Sequence, residues 1–293
     1  MENAYKALRP LLFSLAYRMT GSVGEAEDIV QEAFLRFHRA RAGGEEIAST
    51  KGYLVTIVTR LSIDHSRSAR VQRERYVGTW LPEPILNEEV PDVAASAELA
   101  ESLSLAFLVL LETLSPVERA AFLLHDVFGY PYVQVAEVIG KTEENARQLA
   151  ARARRHIEAR RPRFEASKEE RDALARAFFQ AAQEGHVERL ISLLADEAVA
   201  YADGGGKAPA ASQPIQGAER VARFLVALGA VAMRRGVRVR LVEANGQPAI
   251  LAVEPDGRVG SVMALQIADG RIHAIASVVN PDKLVHLTEG HPG

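Results

Sequence analysis

The stretch from Tyr130 to Arg163 constrains the fold most, because it asks two short helices to meet at one tight turn. Val133, Ala136 and Ile139, with Val135 and Val138 beside them, give the first helix a buried face. Gly140 follows, and glycine takes the left-handed conformation that closes a helix without a Cβ clash. Thr142 then caps a second helix, its hydroxyl accepting from first-turn amides. There Ala146, Leu149, Ala150, Ala153 and Ile157 recur at helical spacing. Glu144, Gln148, Ala151 and Arg155 lie opposite, flanked by Asn145, Arg147 and Arg152. Two short helices, a Gly-containing turn and small inward residues predict a helix-turn-helix. Its outer side is cationic: Lys141, Arg147, Arg152, Arg154, Arg155, Arg160, Arg161 and Arg163 face only Glu143, Glu144 and Glu158. Polar side chains at the start of the second helix suit base edges, and the arginines behind them suit phosphates.

A chain of 293 residues exceeds one ordinary domain, so two or three units are expected. The absence of cysteine excludes disulfides, thiolate metal sites and cysteine nucleophiles. No signal pattern opens the chain and no apolar run is long enough to span a bilayer, so a cytoplasmic protein without membrane contact is expected. The net charge of −3 does not mark a free-standing DNA binder. The charge is nevertheless segregated: Arg60, Arg67, Arg70, Arg73 and Arg75 form a basic run, and Glu83, Glu88, Glu89, Asp92, Glu98 and Glu101 an acidic one. Local basic faces on a nearly neutral chain suit a protein that reaches DNA with a partner's help.

Residues 4–20 read as an amphipathic helix through Leu8, Leu11, Leu12, Leu15 and Met19. Ser22 with Glu25 is a capping box that starts a helix to about Ala40, with Ile29, Val30, Ala33, Phe34 and Phe37 inward. A third helix, about 50–75, has Tyr53, Leu54, Ile57, Val58 and Leu61 as its core side and a basic end. From Tyr76 the run Tyr-Val-Gly-Thr-Trp-Leu-Pro-Glu-Pro forbids regular helix and opens a linker to about residue 93. An exposed Trp is costly, so Trp80, the only one in the chain, is expected to be buried. Helix resumes near Ala94, and Ser115-Pro116-Val117-Glu118 caps the helix that leads into the helix-turn-helix. Ser167 and Glu170 cap a further helix, after which the period changes. Val237, Val239 and Leu241 alternate with Arg238 and Arg240, and Asn245-Gly246, Asp256-Gly257 and Asp269-Gly270 separate the runs that follow. Those pairs favour hairpins, so the tail is expected to be an α+β domain with a curved antiparallel sheet.

Asp-Ile-Val-Gln-Glu-Ala-Phe-Leu-Arg-Phe at 28–37 resembles the region 2 helix of extracytoplasmic-function sigma factors. Tyr-Leu-Val-Thr-Ile-Val-Thr-Arg-Leu-Ser-Ile-Asp at 53–64 resembles the promoter-melting helix that follows, and residues 114–130 with the helix-turn-helix resemble region 4. The Tyr-Val-Gly-Thr-Trp-Leu-Pro-Glu-Pro linker and the long tail resemble the SigJ-type branch, which carries a fused SnoaL-like domain. The resemblance implies four parts: region 2 over 1–75, a linker over 76–93, region 4 over 94–163 and a regulatory cone over 167–293. The two sigma parts are all-α and separate. The face bearing Asp28, Gln31, Glu32, Leu35 and Arg36 would dock on the clamp of the RNA polymerase largest subunit. Arg60, Asp64, Arg67 and Arg70 would contact the minus-10 element. Arg60 and Asp64 can equally pair on one helix face, worth about 0.3–0.5 kcal/mol. Glu144, Asn145, Arg147 and Gln148 would meet base edges of the minus-35 element, where an Arg–guanine or Asn–adenine pair discriminates by about 1–3 kcal/mol. Arg152 and Arg155 would meet phosphates.

For the tail, the resemblance implies regulation of the sigma core through Tyr76, Trp80, Leu81, Pro82, Asp203, Lys207, Asn280 and Asp282, with a small ligand in the cone as a further partner. Asp203-Gly204-Gly205-Gly206-Lys207 reads as a turn more than an anion-binding loop, and Asn280 to Leu284 as a turn before a terminal helix. Tyr201, Asp203, His186 and His273 are the groups available for proton transfer in such a cone, and no pattern pairs two of them. No cofactor, metal site or catalytic residue is expected. A ligand-responsive regulator binding operators without polymerase is the alternative reading, and the 28–37 helix argues against it.

Overall fold

A computed structural model describes residues 2–73, 76–86, 102–159, 167–211 and 213–287. They fall into two compact units. Among the described residues the first takes 2–73, 102–103 and 107–159, and the second takes 76–86, 104–106 and 167–287.

The first unit is all-helical: α1 Glu2–Thr20, α2 Val23–Ala42, α3 Thr50–Arg73, α4 Leu105–Glu112, α5 Pro116–Phe122, α6 Tyr132–Ile139 and α7 Glu143–Glu158. Residues 104–106, which include the first two of α4, group with the second unit. Side chains cap these helices where the sequence places them. Ser22 accepts from Glu25 N, Ser115 and Glu118 form a complete capping box, and Thr142 accepts from Asn145 N at 3.2 Å. Gly140 closes α6 at φ 65°. The stretch expected to be helical from Ala94 lies outside the described residues up to 101. One expectation about α6 fails: Val133 is 52% exposed, while Val135, Ala136 and Val138 are buried. With Pro131 as the cap, the short helix turns Val133 outward.

The two sigma-like modules were expected to be separate, yet they share this one unit. The ties are polar as well as apolar. Arg119 on α5 is 3% exposed and donates to the Met19 carbonyl at the end of α1 and to Glu112. Arg18 on α1 is 1% exposed, donates to Ser102 Oγ at 3.0 Å and lies 5.5 Å from the Phe128 ring. Burial pushes both guanidinium groups down to about 9. Carbonyls at a helix C-terminus have no intrahelical partner, and Arg119 satisfies one of them from the other module.

The second unit is α+β. Helices α8 Lys168–Glu184 and α9 Val187–Leu193 precede β1 Leu194–Asp203, β2 Ile215–Gln216 and α10 Ala218–Arg234. Strands β3 Arg238–Ala244, β4 Gln247–Val253, β5 Val259–Ala268 and β6 Arg271–Val278 follow, and Pro281–Lys283 makes a single 3₁₀ turn where a terminal helix was expected. The sheet order is β2-β1-β6-β5-β4-β3. Asn245 and Gly246, and Asp269 and Gly270, all take positive φ, the backbone that two-residue hairpins require. The sheet is mixed, not antiparallel: β1 runs parallel to β6, with Asp203 opposite Val278. Between β1 and β6 the chain passes through β2, α10 and the β3–β5 meander, and β6 enters by a hairpin from β5. Phe178, Leu190, Val221, Leu225, Leu265 and Ile275 belong to the core between the helices and the sheet.

Replacing Arg119 by Met leaves the Met19 carbonyl and the Glu112 carboxylate without that donor. Urea denaturation of the full chain is expected to show the helical unit losing about 3 kcal/mol.

Candidate nucleic-acid interface and linker site

Helix α2 presents Asp28, Gln31, Leu35 and Arg36 to solvent. Glu32 is half-buried and accepts from Arg36 Nε at 2.7 Å, which holds its carboxyl below the usual range. Leu35 is 44% exposed on this polar face.

On α3 the four expected DNA contacts separate. Asp64 and Arg67 are exposed and pair with each other at 3.1 Å. The Arg70 side chain lies outside the described residues. Arg60 is engaged elsewhere: its Nε donates to the Val138 carbonyl at 3.0 Å and its Nη2 to the Glu137 carbonyl at 3.1 Å. These carbonyls end α6, the first helix of the helix-turn-helix, and a cation there also meets the negative end of the helix dipole. Asp64 therefore takes Arg67 as its partner rather than Arg60.

On α7 the outward residues fall where their spacing put them. Ala146, Ala150, Ala153 and Ile157 are buried, and Glu144, Asn145, Arg147, Gln148, Arg152 and Arg155 are exposed. Arg147 pairs with Glu143, Gln148 donates to Glu144 at 3.4 Å, and Arg152 lies 3.4 Å from Glu118. Neither Asn145 nor Arg155 has a side-chain partner among the described residues. The Arg147–Glu143 pair is exposed and worth about 1 kcal/mol at most, while Glu118 is only 15% exposed.

The linker site is built within the second unit. Asp203 ends β1 and is fully buried. Its Oδ1 accepts from the Tyr76 hydroxyl at 2.5 Å, and its Oδ2 accepts from Leu81 N at 2.7 Å and Lys283 Nζ at 2.7 Å. Burial, and then the Asp203 carboxylate, push the Tyr76 hydroxyl above its ordinary pKa, so it stays a donor. Asn280 Nδ2 donates to the Tyr76 oxygen at 2.8 Å, and the Lys283 ammonium also donates to the Leu81 carbonyl. That ammonium lies 4.4 Å from the Trp80 ring and 4.9 Å from the Tyr76 ring. Trp80 is half-buried rather than buried, one face taken by Lys283. Pro82 is buried, and Lys207 pairs with Asp282 at the surface.

Further along the linker, Ile85 N donates to Asn245 Oδ1 at 3.0 Å and Asn245 N to the Ile85 carbonyl at 2.8 Å, while Leu86 bridges Ala244. His286 bonds the Pro84 carbonyl at 2.8 Å. Residues 76–86 are thus a strap fastened at β1, at the segment after β6 and at the β3–β4 turn. The Asp-Gly-Gly-Gly-Lys loop is a turn, with Lys207 N donating to the Gly204 carbonyl. Gly205 serves close approach there: a Cβ would collide with the Asn280 amide and lie 2.8 Å from the Tyr76 hydroxyl. The proton-transfer candidates do not gather. Asp203 is spent on the linker, and His186 and His273 are exposed.

The sequence places Lys283 in the Asn280 to Leu284 segment and Asn245 in a hairpin turn, but assigns neither a linker contact. A lysine two residues after a proline turn, and the Asn of a hairpin pair, carry no mark of the long-range contact each makes.

The Sigma-70 region 2 family matches residues 4–71, and the Sigma-70 region 4 family matches residues 104–157. Over 96% of this chain and 92% of its own length, the ECF RNA polymerase sigma factor SigJ of Mycobacterium tuberculosis is 36% identical. This chain belongs to the ECF RNA polymerase sigma factors. The crystal structure of SigJ superposes with a TM-score of 0.77 at 33% identity, covering 97% of this sigma factor and 98% of that chain. A SnoaL-like protein from Burkholderia thailandensis covers 38% of this sigma factor at 16% identity and a TM-score of 0.29. The sigma factor directs RNA polymerase to promoters through regions 2 and 4, and the α+β tail follows them. Among its described residues no helix is long and apolar enough to cross a membrane.

Replacing Asp203 by Ala leaves the Lys283 ammonium and Leu81 N without the carboxylate that holds them. Breaking such a buried pair costs about 3 kcal/mol or more. Chymotrypsin cleavage at Tyr76 and Trp80 should then rise about a hundredfold, read by mass spectrometry under native conditions.

Proposed function

We propose that the tail of this sigma factor sets the reach between its two promoter-reading modules by keeping the linker built into its own fold. The observation that carries this reading is Asp203, whose buried carboxylate joins Tyr76 and Leu81 of the linker to Lys283 of the tail. Held in this way, residues 76–86 are withdrawn from the tether. Fully extended they would add roughly 35–40 Å of reach. That is a large share of the roughly 80 Å that separates minus-10 and minus-35 elements along B-form DNA, at about 3.4 Å per base pair.

Promoter engagement also parts the modules that share the helical unit. Arg60 cannot donate to the Val138 and Glu137 carbonyls and to DNA at once. On the clamp of the largest subunit, the α2 face of Asp28, Gln31, Glu32, Leu35 and Arg36 takes hold. Arg60, Asp64, Arg67 and Arg70 then meet the minus-10 strand. Glu144, Asn145, Arg147 and Gln148 meet base edges of the minus-35 element, with Arg152 and Arg155 on phosphates. Polymerase makes the bonds and the sigma factor makes none. Regulation through the linker needs no small ligand in the tail, and Asp203 acts here as an anchor rather than a base.

Run-off transcription with core polymerase, on promoters whose spacer grows one base pair at a time, tests the reading. The full chain is expected to use a narrow range of spacers. Asp203→Ala should extend that range toward longer spacers, and a chain ending near Arg163 should still initiate with altered spacer preference. An identical spacer profile for all three proteins would remove the proposal.

A further inference from the structure

The helix-turn-helix contains an aromatic support that the sequence does not announce. Leu123–Val127 is a π-helical turn between α5 and α6, closed by Phe128 N on the Leu123 carbonyl at 2.9 Å. Such turns are rare and recur at functional sites. This one carries His125 out to Tyr132, the first residue of α6. The two rings stack at 3.7 Å and 23°. The His125 Nδ1 donates to the Tyr130 carbonyl at 2.8 Å, since a carbonyl can only accept, and this fixes the plane of the imidazole.

A ring this close covers one face of Tyr132. The Arg147 guanidinium lies over the Tyr132 ring, 5.0 Å from its centroid, while its other flank pairs with Glu143. One helical repeat on, Arg154 donates to Asp126 at 2.7 Å, and hydrogen bonds first to Asp126 and then to Tyr132 raise its pKa. Tyr132 thus has His125, Arg147 and Arg154 as neighbours. Arg147 remains 59% exposed, so its donors stay open to a ligand.

An arginine that reads guanine must bring both donors of its planar fork into the base plane at once. A free, rotamer-rich side chain loses that freedom on binding, whereas one already held against a ring loses less. Glu143 is a poor holder in the bound state, because its carboxylate and the DNA phosphates repel each other. The neutral ring does not suffer this repulsion.

We propose that Tyr132, backed by His125, is a positioning residue that holds Arg147 in reading geometry and so sets how strictly one base pair of the minus-35 element is recognised. This rests on the reading of Arg147 as a base contact. Tyr132 acts through Arg147 and touches no base itself. Its contribution is therefore confined to the position Arg147 reads.

The test is run-off transcription by the holoenzyme on a promoter library with each minus-35 position randomised in turn, the products being sequenced. Arg147→Ala is expected to flatten preference at one position. Tyr132→Leu should cut preference there about three- to fivefold, the scale of a cation–π contact at an exposed site. Tyr132→Phe, which keeps the ring, should retain it. In the Arg147→Ala background Tyr132→Leu should add nothing. Tyr132 is half-exposed, so Tyr132→Gln serves equally where leucine lowers the melting temperature. Should Arg147→Ala flatten one position while Tyr132→Leu and Tyr132→Gln leave it sharp, the positioning role is refuted with base reading intact. Even loss of transcription across the library, with preference unchanged, refutes it too. If Arg147→Ala alters no position, base reading by Arg147 itself fails, and the inference goes with it.

Discussion

A carboxylate cut off from water has to be neutralised where it stands, and Asp203 is neutralised from two remote parts of the sequence at once. Tyr76 and Leu81 come from the linker, and Lys283 from the end of the chain. The geometry has no slack. Lys283 bridges the carboxylate and the Leu81 carbonyl, its ammonium sits against two aromatic rings, and Asn280 fixes the tyrosine oxygen that faces the acid. Burying three of these groups without the fourth would leave a charge or a donor stranded.

The same principle, backbone groups satisfied by a distant arginine, organises the helical unit. Arg119 answers the open end of α1, and Arg60 the open end of α6. The two differ in exposure, and that difference separates structure from function. Arg119 is buried and its loss strands its partners, whereas Arg60 lies where water can replace it. An exposed arginine on helix-end carbonyls makes a contact that water can replace.

Much of this was legible in the sequence. Local signals stood out because they act over a few residues: Gly140 and Thr142 at the turn, the Ser115 and Ser167 capping boxes, and the Asn-Gly and Asp-Gly hairpins. The small inward stripe of α7 placed the recognition face directly. What failed was long-range. β1 passed unnoticed because Leu194–Asp203 is rich in alanine and lacks alternation, and its parallel pairing with β6 depends on a partner seventy-odd residues away. Helix α10, which follows it, was not anticipated either. The linker was expected to carry contact residues in Tyr76, Trp80, Leu81 and Pro82, but its prolines gave no sign of how firmly side chains of another element hold its irregular backbone. The bonds of Arg60 to the carbonyls that end α6 went unforeseen because spacing gives the face of a residue and not what lies opposite.

Under the proposed function the linker remains part of the tail while polymerase draws the sigma modules apart. The chain contains no cysteine, so Val77 and Val285, both exposed, can be replaced by cysteine and spin-labelled without removing any other thiol. A double electron–electron resonance distance between them, measured in the free chain and again with core polymerase on promoter DNA, is expected to give one narrow distribution that does not move. A distribution that broadens or lengthens on assembly would show the tail letting the linker go, and would contradict the account.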